Sequence, residues 1–407
     1  MKTDLNDIMR RRGINALLVT GPALNNPAMN YFTGNVHLGN ADLVILPGQQ
    51  PVLFCNPMER GEAAHCGFPL RNLAEYKTPE LIKQTKGDPV MIEALRYQKM
   101  LEDLGFTKGC LSIYGEVEAG RAYSVFNMLQ QLMPEIEIVG EMGKTALLEA
   151  MQTKDQDEAD AIRHMGQITV NIVGRVAEYL QSHNAKEGVL VQSDGSPLTI
   201  GCVKYQIDLW AAELGAQNPH GVIFAIGHDS TIPHSTGDPS AVLALGRTII
   251  FDIFLQQAGG GYHYDFTRTW CLGYAPPDAR QLYDDVKKVY DHVMVEVQAG
   301  ASFNALHELS NDLFEAQGHP TTRQDPLTTE GFVHSLGHGL GLYVHEYPTA
   351  RDKQAVLQPG VVVTIEPGLY YPEKGIGCRI EDTFYVTPDG EIEKMAEYPY
   401  DLVLPVK

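Results

Sequence analysis

Residues Gly331–Asp382 read GFVHSLGHGLGLYVHEYPTARDKQAVLQPGVVVTIEPGLYYPEKGIGCRIED. Three histidines, His334, His338 and His345, stand in its glycine-rich, otherwise apolar first part. Glu366 and Glu381 each close an apolar run of the kind that forms a buried strand. A carboxylate buried there is costly unless it is paired or bound to a metal. One such glutamate is most simply a salt bridge; two of them, downstream of a histidine cluster, point to a metal site. Upstream, TIIFDIF and YHYDFTRTW supply two further acids, Asp252 and Asp265.

The two aspartates lie on the strand-like runs Thr248–Leu255 and Tyr262–Leu272, joined by the hairpin-type turn QQAGGG at 256–261. Adjacent strands would set them about 5 Å apart, the cross-strand neighbour distance. The return GLYYPEKGIG brings Glu366 opposite Glu381 in the same way. With His338, these four carboxylates make an oxygen-rich ligand set that suits Mn, Fe or Co at least as well as Zn, and lacks the thiolates of a structural zinc site. Four negative charges balance two divalent cations; without cations the acids would repel one another and take up protons. A metal pair about 3.5–4 Å apart shares a water, lowers its pKa and polarises a carbonyl, so the expected chemistry is hydroxide attack on an amide carbon.

His345 and His234, the latter in STIPHSTGD, are candidates for contacts to the substrate carbonyl or oxyanion, and His334 is a further one. Glu366 is placed to shuttle a proton as well as to ligate. Arg379, two residues before Glu381 on one strand face, is expected to pair with a ligand carboxylate. His220, His228 and His263 read as structural or surface residues.

The 407 residues are too many for one ordinary core, which predicts two domains. A net charge of −20 disfavours nucleic acid and anionic membrane surfaces as partners. Six scattered cysteines without a CxxC pair read as reduced thiols of a cytoplasmic protein. The first residues read as a short helix capped by Thr3 or Asp4 and closed by Gly13, not as a leader. No apolar stretch approaches the roughly 20 residues that span a bilayer.

Residues 1–150 alternate strand-like runs (Ala16–Thr20, Leu43–Leu46, Pro51–Cys55) with helical ones (Glu93–Leu104, Ala122–Leu132), which predicts a smaller α/β domain. His37, His65, Asp42 and Glu59 are isolated there and read as core or solvated polar groups. The polar segment Leu148–Ala159 marks the boundary. From 151 to 407, apolar stripes at spacings of three and four predict helices from about Ile162, over Lys204–Ala216, Asp278–Gln298 and Asn304–Ala316. The strands between them make the second domain an α+β arrangement.

FDIF, YDFTRTW, HSLGHGLGLYVHEYP, TIEPGLYY and GCRIED together resemble the signature of the pita-bread metallopeptidases, over roughly residues 155–400. That family includes Xaa-Pro aminopeptidase, prolidase and methionine aminopeptidase. The resemblance implies a pita-bread catalytic domain behind a creatinase-like N-terminal one, and metal ligands at Asp252, Asp265, His338, Glu366 and Glu381. It also implies substrate-contacting histidines at His234, His345 and His334, two divalent ions (Mn first, with Co, Fe or Zn as others), and a homodimer. The implied reaction is hydrolysis of an N-terminal Xaa-Pro bond of a peptide or dipeptide by a dimetal hydroxide.

Three departures stand out. Phe254 occupies a position where many members carry glycine, the Asp252–Asp265 spacing is about two residues longer than the resemblance leads one to expect, and Glu346 stands where aspartate is common. Alternatives are creatinase-type C–N hydrolysis or lyase chemistry on a small substrate, and a non-catalytic binding module. Modules of that kind lose ligands, and this chain keeps all five.

Overall fold

A computed structural model describes residues 4–407 of the chain. It divides into two compact units, Met1–Met151 with Gly259–Gly261, and Gln152–Ala258 with Tyr262–Lys407. The expected cap Thr3 lies outside the described residues. Asp4 precedes the first helix, Leu5–Arg11, but its side chain makes no capping hydrogen bond.

The first unit is built on a six-stranded mixed sheet, in the order Leu70–Asn72, Val52–Cys55, Ala41–Ile45, Ala16–Gly21, Gly109–Gly115, Ile136–Val139. Helices Pro89–Asp103 and Ala119–Leu132 start where Asp88 and Glu118 accept hydrogen bonds from the first-turn N–H groups. Asp42 is a core polar group: Arg96 Nη1 donates to it at 2.6 Å and Tyr97 Oη at 2.8 Å, all three residues being buried.

The second unit opens on the long helix Gln156–Ser182, begun by a reciprocal capping box between Asp155 and Glu158. With helix Ile200–Glu213 it encloses one apolar core; helices Pro277–Glu296 and Phe303–Ala316 enclose a second. Each predicted stripe is therefore core. A four-stranded sheet runs Ile223–Ile226, Thr248–Ile253, Phe266–Leu272, Val403–Leu404. A five-stranded one runs Glu346–Thr349, His338–Gly339, Val362–Ile365, Asp382–Val386, Ile392–Lys394, and the Thr267–Glu381 bridge joins the two sheets.

Two hairpins decide where the acids stand. Strands Thr248–Ile253 and Phe266–Leu272 pair antiparallel with Asp252 opposite Thr267. The same register continues through Leu255–Tyr264 and Gln257–Tyr262 to the tip within QQAGGG. Asp265 is thus a diagonal neighbour of Asp252 on the same face, not its direct partner as expected. The chain here forms two strands with a break at Ile380 and Glu381: Ile376–Arg379 pairs with Gly368–Tyr371, and Asp382–Val386 with Val362–Ile365. Both ladders share one register, in which Glu366 falls opposite Glu381 at the break. There Pro367 offers no N–H, Glu366 N–H donates to Leu336 O (2.8 Å), and Glu381 N–H donates to Thr267 O (3.0 Å).

Candidate metal centre

Asp252, Asp265, His338 and Glu381 are all buried, at 8, 4, 8 and 2% exposure, and Glu366 is nearly so. One ligand atom each from Asp265, His338 and Glu381 fall within 4.8 Å of one another, a span that a single ion can bridge. His338 Nε2 lies 3.7 Å from Asp265 Oδ2 and 3.5 Å from Glu366 Oε1. Asp252 adjoins this group, since its charge acts on Asp265, Glu366 and Glu381 alike. All five sequence-derived ligand candidates therefore converge.

His338 is held at a bulge, its N–H donating to Thr364 Oγ1 (3.2 Å). Next to it, Gly337 passes so close to Thr364 that an added Cβ would stand 2.0 Å from that carbonyl oxygen, which excludes any side chain. The His338 Nδ1–H donates to Gly339 O (3.0 Å), so Nε2 carries the lone pair that faces the acids. Burial, then the neighbouring His345, takes the imidazole down to about 3, and it is neutral.

A lone pair facing carboxylates at these distances is repulsive unless a cation lies between. The acids report the same strain. Burial first, then Asp252 and Glu366, raises Asp265 well above the carboxylate range; burial, then Asp265, Glu366 and Asp252, does so for Glu381. Glu366 is pushed up to about 8 by burial, against the opposing charge of Arg379. Asp252 Oδ1 is buried and has no hydrogen-bond partner among the described residues. An orphaned oxygen, an unprotonated imidazole nitrogen and acids starved of positive charge are what a divalent-cation site presents. Buried Cys271 and Cys378 take no part in the group.

Arg379 pairs with a ligand carboxylate as expected: its Nη2 donates to Asp252 Oδ2 at 2.6 Å. It ends its own strand, and Glu381 lies beyond the break, so the two do not share one strand face. Its Nη1 reaches Tyr370 Oη (2.5 Å) and Pro233 O (3.3 Å). Its Nε donates to Thr267 Oγ1 (3.4 Å), which in turn donates to Glu381 Oε2 (2.7 Å). Tyr370 and Thr267 are thus residues that sequence reading passed over. The available signal was the TRT run beside Asp265 and the doubled tyrosine after Glu366.

The candidate histidines part company. His345 is exposed, with its ring centroid 4.3 Å from that of His338, and burial of the ring and then His234 lower its pKa. His234 is exposed, follows the anchored Pro233, and acts electrostatically on both His345 and His334. His334 donates from Nδ1 to Ser335 O (2.8 Å) and accepts at Nε2 from Tyr370 Oη (2.9 Å). Both its nitrogens are hydrogen-bonded, one of them to Tyr370.

His263, read from sequence as structural or surface, is buried next to the site. It stacks on His220 at 6.0 Å, its Nδ1–H donates to Phe254 O (3.2 Å), and burial brings it down to about 4. Phe254, opposite Asp265 in the register, packs with Tyr370, Ile223 and Ile250.

Residues 160–388 match Metallopeptidase family M24, and residues 3–143 match the Creatinase/Prolidase N-terminal domain. An Xaa-Pro dipeptidase of Pyrococcus furiosus is 26% identical over 364 residues, 88% of each chain. A dipeptidase structure from Pyrococcus horikoshii OT3 aligns with a TM-score of 0.75 at 21% identity, covering 98% of both chains. An X-Pro aminopeptidase structure from Thermotoga maritima MSB8 aligns with 0.73 at 21%, covering 98% of this chain and 99% of that one. The two structures show a shared fold. With over half of its length matched and a creatinase-type domain ahead of a pita-bread one, the chain belongs to metallopeptidase family M24 and is a hydrolase.

Proposed function

We propose that the protein is a dinuclear metal-dependent peptidase that cleaves the N-terminal Xaa-Pro bond of peptides or dipeptides. The observation that carries this is the convergence of four carboxylates and an unprotonated imidazole nitrogen beside an exposed histidine. Asp252, Asp265, His338, Glu366 and Glu381 would hold two divalent ions, Mn first, with Co, Fe or Zn as others. When bound, the ions would supply an activated water and a polarised substrate carbonyl. His345, neutral and next to His338, donates to the carbonyl oxygen as it gains charge, with His234 as a second donor. Glu366 is the carboxylate placed to pass a proton to the departing amine. Arg379, braced by Tyr370, pairs with Asp252 and reaches Glu381 through Thr267.

Within this reading, residues 151–407 form the catalytic domain and residues 1–150 the creatinase-like one, supported by the two family matches. A cytoplasmic location rests on the six free cysteines, and a homodimer on the family resemblance.

The test is hydrolysis of Xaa-Pro dipeptides and of a longer Xaa-Pro peptide by metal-stripped protein, with and without Mn(II). Cleavage that returns with Mn(II) is expected, and the preferred length separates dipeptidase from aminopeptidase. Two bound metals with neither peptide cleaved would sink the Xaa-Pro assignment while keeping the site. For His345→Ala, the expectation is a turnover lower by about 100-fold or more, typical of losing one donor to a developing oxyanion, with metal content unchanged. Full turnover in that variant would remove His345 from the chemistry.

A further inference from the structure

Glu346 follows His345, and nothing in the chemistry above uses it. Its side chain and that of Lys154 are each 1% exposed, with Lys154 Nζ 2.7 Å from Glu346 Oε2. Lys154 immediately precedes the cap of helix Gln156–Ser182, and its own N–H donates to Gly360 O (2.7 Å), so the ammonium starts from a fixed backbone. The other carboxylate oxygen of Glu346 accepts from Tyr343 N–H (3.0 Å). The carboxylate also fills the space over Gly341, where an added Cβ would stand 2.5 Å from Oε2.

The loop from Leu340 to Glu346 is therefore wrapped round its own terminal carboxylate. Outside bonds hold its first part: Leu340 N–H donates to Val362 O (3.2 Å), and His263 N–H donates to Gly341 O (2.8 Å). Gly339 pairs with Glu346, closing the loop at its base. His345 is the last residue before that closure.

A buried ion pair is a poor source of net stability, because desolvating two charges offsets most of their attraction. What it does determine is geometry. The Glu346 carboxylate meets Lys154 with one oxygen and Tyr343 N–H with the other, which ties the loop to the start of the long helix. We propose that Lys154 and Glu346 are positioning residues for the hydrolysis, holding His345 beside His338 at the height where it meets the substrate carbonyl. The length of the Glu346 side chain provides the reach to Lys154. This rests on the role given to His345 above.

The test is a double-mutant cycle on Mn(II)-loaded protein with an Xaa-Pro peptide as substrate. Lys154→Met should lower kcat about 10- to 100-fold, the scale of a small misplacement of a catalytic group, at unchanged metal content. In a His345→Ala background the same substitution should cost less than about twofold, because coupled residues do not add. Should Lys154→Met fail to fold, Glu346→Asp, which keeps the charge and withdraws the carboxylate, carries the same comparison. An equal loss in both backgrounds overturns the proposal, as does kcat within about twofold of the parent, or metal content that falls in step with kcat. A fully active His345→Ala protein overturns the role of His345 instead, and is told apart because it leaves Lys154 untouched.

Discussion

Asp265→Ala is expected to lose metal and activity together. Asp265 is the acid that lies within bridging distance of both His338 and Glu381 and is also coupled to Asp252 and Glu366. Its removal takes away the acid common to the whole cluster, not one at its margin. Replacing outer-shell partners typically costs metal affinity or activity 10- to 100-fold, so loss of this inner residue should exceed about 100-fold in kcat/KM. Metal content per chain, measured after dialysis against trace Mn(II), should fall in parallel. Asp265→Asn separates charge from shape: it fills the same space, and its Oδ1 can still accept from Phe266 N–H, a bond of 2.9 Å in the parent. It should nonetheless fail to load metal at parental affinity. An Asp265→Ala protein with full metal and full turnover would take Asp265 out of the ligand set.

The second large effect is expected at Arg379, and it should appear in stability as well as in metal binding. The guanidinium is 3% exposed and bonds Asp252, Tyr370, Thr267 and Pro233 O. Arg379→Met keeps much of the volume and removes the charge. Asp252, whose other oxygen already has no partner, would then face Asp265 with no cation beside it. Breaking a buried pair from one side typically costs about 3–5 kcal/mol. Denaturant unfolding in the presence of EDTA should show that loss in full, and saturating Mn(II) should return part of it by binding the folded state. Mn(II) affinity itself should drop about 10- to 100-fold. Unfolding midpoints equal to the parent's in both conditions would mean that the arginine is dispensable and Asp252 is neutralised in some other way.

Much of this was legible in the chain because the signals are local. Apolar stripes at helical spacing marked four of the helices of the second unit to within a few residues of their ends. Their burial then follows from the stripe itself, since an apolar face must be covered. The ligand candidates were legible for a related reason. A carboxylate at the end of an apolar run contradicts its surroundings, and Asp252, Glu366 and Glu381 each do so. The start of the long helix was set earlier than the stripe suggested, at Gln156, because the Asp155–Glu158 capping box recruits polar residues that carry no apolar period.

Other features were not legible, and the reason differs from case to case. Glu366 opposite Glu381 was expected, but the break there was not, because it depends on where the pairing of two separate ladders ends. The surroundings of His334 and His263 were not legible for the same reason. Whether a histidine has a free nitrogen is decided by its neighbours, here Ser335 and Tyr370 for one, and Phe254 and His220 for the other. The pairing of Lys154 with Glu346 spans 192 residues, and no local pattern announces it.

Composition, periodicity and misplaced charges, which are properties of short windows, thus determined the two-part organisation, the helices and the four acids and one imidazole that converge on the candidate site. Tertiary structure alone decided which oxygens are orphaned, which imidazole nitrogen faces the acids, and which histidines are exposed beside them. Those properties belong to distances between side chains, and a one-dimensional chain holds such distances only through the packing that folding imposes.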